Sequence, residues 1–114
     1  MIQPENPGKL AFSKSRAYIV GINAYQHISP LSTAVNDARM IATVLERRQG
    51  FEVSLLTDPG AADIRRLLQE MSETVTASDR DFIYFAGHGI AEDSEGGPAG
   101  YLVPADADPV NSAR

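Results

Sequence analysis

Asp81-Phe82-Ile83-Tyr84-Phe85-Ala86-Gly87-His88-Gly89 is the stretch that decides the fold. Its apolar part, Phe82 to Phe85, is aromatic and β-branched and too short for a helix, so it reads as a buried strand. The strand stops abruptly at Gly-His-Gly. The glycines leave the His88 imidazole at a strand end beside bare backbone. A lone histidine is more often structural than catalytic. Access favours the catalytic reading, because the Gly89 N–H, with no side chain over it, suits an oxyanion. Residue type alone leaves both open.

Upstream, Ala17-Tyr18-Ile19-Val20-Gly21-Ile22 is nearly continuous in apolar residues, as expected of a strand covered on both faces. Asn23 to Pro30 is a polar loop, and its His27 reads as an exposed residue. A helix is predicted over Thr33 to Arg48, with Ser32 or Thr33 as cap and Gly50 as the left-handed residue past its end. Its stripe is Ala34, Ala38, Ile41, Ala42 and Leu45. A second strand, Phe51 to Leu56, turns through Thr57-Asp58-Pro59-Gly60 into a second helix, Ala61 to Val75, with the stripe Ile64, Leu67, Leu68, Met71 and Val75.

Downstream of Gly89, Ala91 to Ala99 is acidic and glycine-rich and reads as an exposed loop. Gly100 to Pro104 is a short extra strand, with Pro104 at its end. Strands alternating with helices imply right-handed crossovers and a parallel sheet with helices on its faces. Ligands of such sheets bind at the carboxyl ends of the strands, where His88 and Asn23 both fall. The last strand of so thin a sheet should be an open edge. Three regions are expected: a flexible lead over 1–16, the folded part over 17–107, and a flexible tail over 108–114.

Composition excludes several functions. At 114 residues the chain holds at most one small domain, and 43% hydrophobic residues suffice for a core. A net charge of −5 argues against nucleic-acid and anionic-membrane partners. No run of about 18 apolar residues predicts a membrane span, and the polar start has no signal-like core, so a cytoplasmic location is expected. No loop has the glycine pattern of a phosphate cradle. His27, His88, Asp93 and Asp106 lack ligand spacing, so no metal and no cofactor are expected. The acidic loop Glu92 to Glu95 lacks the spacing of a calcium-binding hand. There is no cysteine, and no serine on a Gly-X-Ser-X-Gly turn. The chain thus offers a base and an oxyanion donor without a nucleophile.

Four segments together resemble a caspase-like cysteine peptidase, on the bacterial and metacaspase side of that family. They are Ala17 to Tyr25, then Leu31 with Ala34-Val35-Asn36-Asp37-Ala38, then Tyr84 to Gly89, then Gly100 to Ala107. The resemblance implies a caspase-hemoglobinase-like three-layer α/β sandwich, mostly parallel and incomplete in this chain. It implies that His88 is the catalytic histidine and that the Gly89 N–H helps form the oxyanion hole. Asp37 resembles the acid that receives a basic side chain before the scissile bond, and a carboxylate there suits Arg or Lys. The plainer reading of Asp37 is a charge placed favourably in a helix's first turn.

The departure from the family pattern is the missing nucleophile. The cysteine is expected about 50 residues after the histidine, near about position 138. The resemblance therefore implies the N-terminal, histidine-bearing part of a processed peptidase cutting after Arg or Lys, its partner being the cysteine-bearing C-terminal remainder. Arg114 is then a processing end left by an activating protease. The competing reading is a non-catalytic pseudo-protease or regulatory interaction module.

Overall fold

The computed structural model describes residues 13–108. Most of the expected lead, the tail and the proposed processing end at Arg114 lie outside the described residues.

The first strand, β1 (Ser15–Gly21), forms the middle of the molecule because its residues are apolar on both sides. Tyr18 and Val20 face one layer and Ala17 and Ile19 the other, all of them buried. The strands β2 (Glu52–Thr57) and β3 (Arg80–Ala86) flank it in parallel, in the order β2-β1-β3. Ile19 stands opposite Leu55 on one side and Tyr84 on the other.

The helix α1 (Ala34–Gln49) covers the Ala17 and Ile19 face through Ala38 and Ala42, with Ile41 and Leu45 beside them. The helix α2 (Ala61–Thr74) covers the opposite face through Leu67, Ile64 and Met71. These are the three layers expected from the alternation. Burying a side chain such as Ile19 contributes about 1.5–3 kcal/mol. Gly21 lets α1 sit this close: a Cβ there would stand 2.7 Å from the Ala38 Cβ and 2.9 Å from the Ala34 carbonyl oxygen.

The strand Phe82 to Phe85, expected to be buried, is a sheet edge with Phe82 and Ile83 exposed, and three further local expectations need correction. Leu68 and Val75 are exposed rather than part of the α2 stripe, because α2 reaches the sheet only through the Ile64, Leu67 and Met71 side. Thr33 holds the cap position of α1 but makes no side-chain cap bond; instead the Asn23 Oδ1, from the loop after β1, accepts the Val35 N–H at 3.2 Å. Gly50 does take the left-handed conformation, with φ of 70°.

The third correction is larger. The segment 91–99, expected to be a loop, forms most of a hairpin of β4 (Gly89–Ser94) and β5 (Gly97–Leu102), which takes in the expected strand over Gly100 to Leu102 and is paired antiparallel in a separate two-stranded sheet. The extra strand therefore does not extend the main sheet. Its residues carry no apolar alternation, so the sequence gives no period-2 signal. The tight turn at Glu95–Gly96, with Gly97 at φ +111°, supplies the geometry that pairing needs. The side chains of Glu92 and Asp93, on which the calcium question turned, lie outside the described residues.

Candidate active site

His88 sits just past the carboxyl end of β3, half-buried, between that strand and β4. Its ring Nε2 lies 3.0 Å from the Ser29 carbonyl oxygen. A carbonyl only accepts, so Nε2 is the donor, and the tautomer that this contact selects has its lone pair on Nδ1. That is the arrangement a general base needs: one nitrogen tethered, the other available. The His88 backbone N–H donates to the Tyr25 hydroxyl at 2.8 Å. The two rings also touch, with centroids 4.8 Å apart at 55°. Burial raises the Tyr25 hydroxyl above its ordinary pKa, against the opposing effect of that backbone bond, so it remains a neutral phenol.

Both contacts come from the loop between β1 and α1, and that loop is itself pinned. The Asp58 carboxylate, at the end of β2, accepts the Asn23 N–H at 2.8 Å and the Ala24 N–H at 2.9 Å. Asp58 adopts φ +54°, unusual outside glycine but tolerated by aspartate. Its own N–H donates to the Gly21 carbonyl at 2.8 Å. The Gln26 N–H ties the far side of the loop to the Ala105 carbonyl at 2.9 Å. A second acid, Asp106, accepts the Ala61 N–H at 2.9 Å and so caps α2 from outside.

Gly89 opens β4. The Val103 N–H donates to the His88 carbonyl at 3.2 Å. Antiparallel ladders alternate, so the next pair, Gly89 with Leu102, is a non-hydrogen-bonded one and the Gly89 N–H points away from β5. Asp37 lies in the first turn of α1, exposed, with no hydrogen-bond or ion-pair partner for its carboxylate among the described residues. No contact joins it to His88 among the described residues. His27 is exposed, as expected. An open cleft of about 530 Å³ flanks the hairpin, lined by Ala61, Ile90, Tyr101, Val103 and Asp106 among others, and does not include His88.

Sequence reasoning picked out the histidine and missed what holds it. Tyr25 closes one of the segments that carry the resemblance, but nothing in its identity says that its oxygen meets the His88 amide. Ser29 acts through its carbonyl, which no side-chain pattern reports. Asp58 has only the sequence signature of a turn residue, in Thr57-Asp58-Pro59-Gly60.

The family model for the caspase domain matches residues 14–113. The chain belongs to that family of cysteine peptidases, peptidase C14. Among curated proteins it is similar to metacaspases. Metacaspase-1B of Aspergillus fumigatus is 28% identical over 109 residues, covering 82% of this chain and 27% of that protein. Metacaspase-1B of Aspergillus oryzae is 28% identical over 109 residues, covering 82% of the chain and 26% of that protein. Metacaspase-4 of Arabidopsis thaliana is 30% identical over 107 residues, covering 80% and 26%. The chain thus spans about a quarter of the length of these relatives. They are fungal and plant proteins, which supports the metacaspase side of the expected resemblance and gives no support to a prokaryotic one.

Proposed function

We propose that this chain supplies the histidine and an oxyanion donor of a metacaspase-type endopeptidase that cuts after Arg or Lys. The cysteine is supplied by polypeptide outside these 114 residues. The observation that carries the reading is the His88 ring, tethered at Nε2 to the Ser29 carbonyl with Nδ1 left to act. In this mechanism Nδ1 takes the thiol proton, and the thiolate attacks the scissile carbonyl carbon. The Gly89 N–H, directed away from β5, meets the oxyanion. The imidazolium then gives its proton to the leaving amine, and water hydrolyses the acyl-enzyme.

Asp37 is the acid of the basic-side-chain pocket. Two facts support this: its carboxylate is exposed and without a partner among the described residues, and α1 starts from the loop that grips His88. A cytoplasmic setting fits the reading; no helix among the described residues is long and apolar enough to cross a membrane.

The test is cleavage of a peptide series differing only in the residue before the scissile bond, by the cysteine-bearing protein. Arg and Lys peptides should be cut and Asp peptides spared. Equal cleavage of all three would refute the specificity, and unchanged cleavage by His88→Ala would refute the enzyme reading. A second reading, an interaction module, rests on the β3 edge of the main sheet, where Phe82 and Ile83 are exposed. Coding sequence beyond residue 114 that contains no cysteine segment would decide for it.

A further inference from the structure

We propose that Tyr25 is the positioning residue of His88, holding the histidine's backbone in the one orientation that lets its ring reach the Ser29 carbonyl. The inference rests on the reading of His88 as the peptidase base and adds a role that the family match does not assign.

Three separate observations meet at one oxygen. The Tyr25 hydroxyl accepts the His88 N–H at 2.8 Å. A Cβ added at Gly87 would lie 2.6 Å from the same hydroxyl, so glycine is what admits it. The Tyr25 ring leans on the imidazole at 4.8 Å, within the range where tilted rings attract. Tyr25 is only 8% exposed and packs in the cluster that holds Ile22, Val103 and Ala105. A tyrosine has few rotatable bonds, so a buried ring fixes its oxygen in space.

The hydroxyl takes over a ladder position. The Val103 N–H still bonds the His88 carbonyl, and an ordinary antiparallel pair would return the His88 N–H to the Val103 carbonyl. That N–H goes to Tyr25 instead. The ladder is therefore open on one side at His88, and the residue is turned toward the β1–α1 loop. Four residues on, the same loop presents the Ser29 carbonyl to Nε2. Backbone and ring are gripped by one loop, so a shift at Tyr25 displaces the base as a whole.

Phenylalanine at this position would fill the same space, which separates positioning from packing. Side-chain 1H–15N spectra of the 114-residue chain, with His88→Gln to assign the ring, should show a single Nε2–H tautomer for neutral His88. In Tyr25→Phe the ring should become a mixture of tautomers, and the His88 amide should exchange about tenfold faster. In the cysteine-bearing peptidase the same variant should lower kcat about tenfold with KM within about twofold.

An unchanged tautomer or an unchanged kcat in Tyr25→Phe overturns the proposal. If His88→Ala abolishes cleavage in that case, the peptidase reading survives. If His88→Ala leaves cleavage intact, it is the peptidase reading that falls. Should Tyr25→Phe lose its folded amide dispersion, Gly87→Ala decides, since it crowds the hydroxyl most closely, at 2.6 Å against 3.0 Å for the Phe85 ring, without removing a core atom. A mixed tautomer there supports the proposal, and a single one overturns it.

Discussion

His88 was visible in the sequence because two glycines and a strand end surround it, and the structure adds the atoms that hold it. Its Nε2 is held by a main-chain carbonyl and its amide by a phenol. A carbonyl leaves no trace in residue identity, so Ser29 could not be found from sequence. Tyr25 could have been suspected only from its place in a recognisable segment. The coupling of Tyr25 and Gly87 is open to a double-mutant cycle. Gly87→Ala should slow the enzyme less in the Tyr25→Phe background than in the parent, because the 2.6 Å contact disappears. Purely additive effects would mean that the two residues do not meet. Asp37→Asn keeps size and removes charge, so it should reduce kcat/KM for Arg peptides about tenfold or more. Undiminished preference for Arg would remove Asp37 from the pocket.

At the scale of elements, the β1–α1 loop makes both contacts that hold His88. The core strand and the two helices were legible because their apolar periodicities are clean. The hairpin was not, because β4 and β5 are built from glycine, acid and a tight turn rather than an alternating pattern. The trans caps were hidden for another reason. Asn23 caps α1 and Asp106 caps α2 from distant points in the chain, which only tertiary structure brings near. Asp58 joins β2 to the loop through two accepted N–H bonds. Asp58→Ala should cost about 1–3 kcal/mol in urea unfolding, because two N–H groups lose their acceptor. A change within about 0.5 kcal/mol would show that the loop is held by other contacts.

Over the whole molecule, a charge cluster lies at the base of the sheet and an open edge runs along β3. Arg16 bonds Asp79 at 3.0 Å at the end of the sheet opposite His88 and lies 3.8 Å from Asp81. The bond from Arg16 holds the Asp79 carboxyl below the usual carboxylate range, despite the opposing cost of burial. A depressed carboxyl stabilises the fold above its unfolded value of about 3.9, and the contribution is lost as pH falls through the lower folded value. Urea midpoints should therefore drop on acidification below about pH 4, and Asp79→Asn should be weaker at neutral pH and flatter across that window. An equally steep acid limb in the variant would assign the effect elsewhere.

The β3 edge carries Phe82 at 41% and Ile83 at 49% exposure on its two faces. Ile83→Lys should leave the stability of this chain within about 0.5 kcal/mol while weakening its co-elution with the cysteine-bearing part. Unimpaired co-elution would place the contact on another surface.

The most direct test of the account is kcat on an Arg peptide, measured with the cysteine-bearing peptidase carrying either parent His88 or His88→Ala. A positioned base and acid contributes about 10²–10⁴-fold, and the account predicts a loss of that size in the folded variant. A kcat within a few-fold of the parent would contradict it.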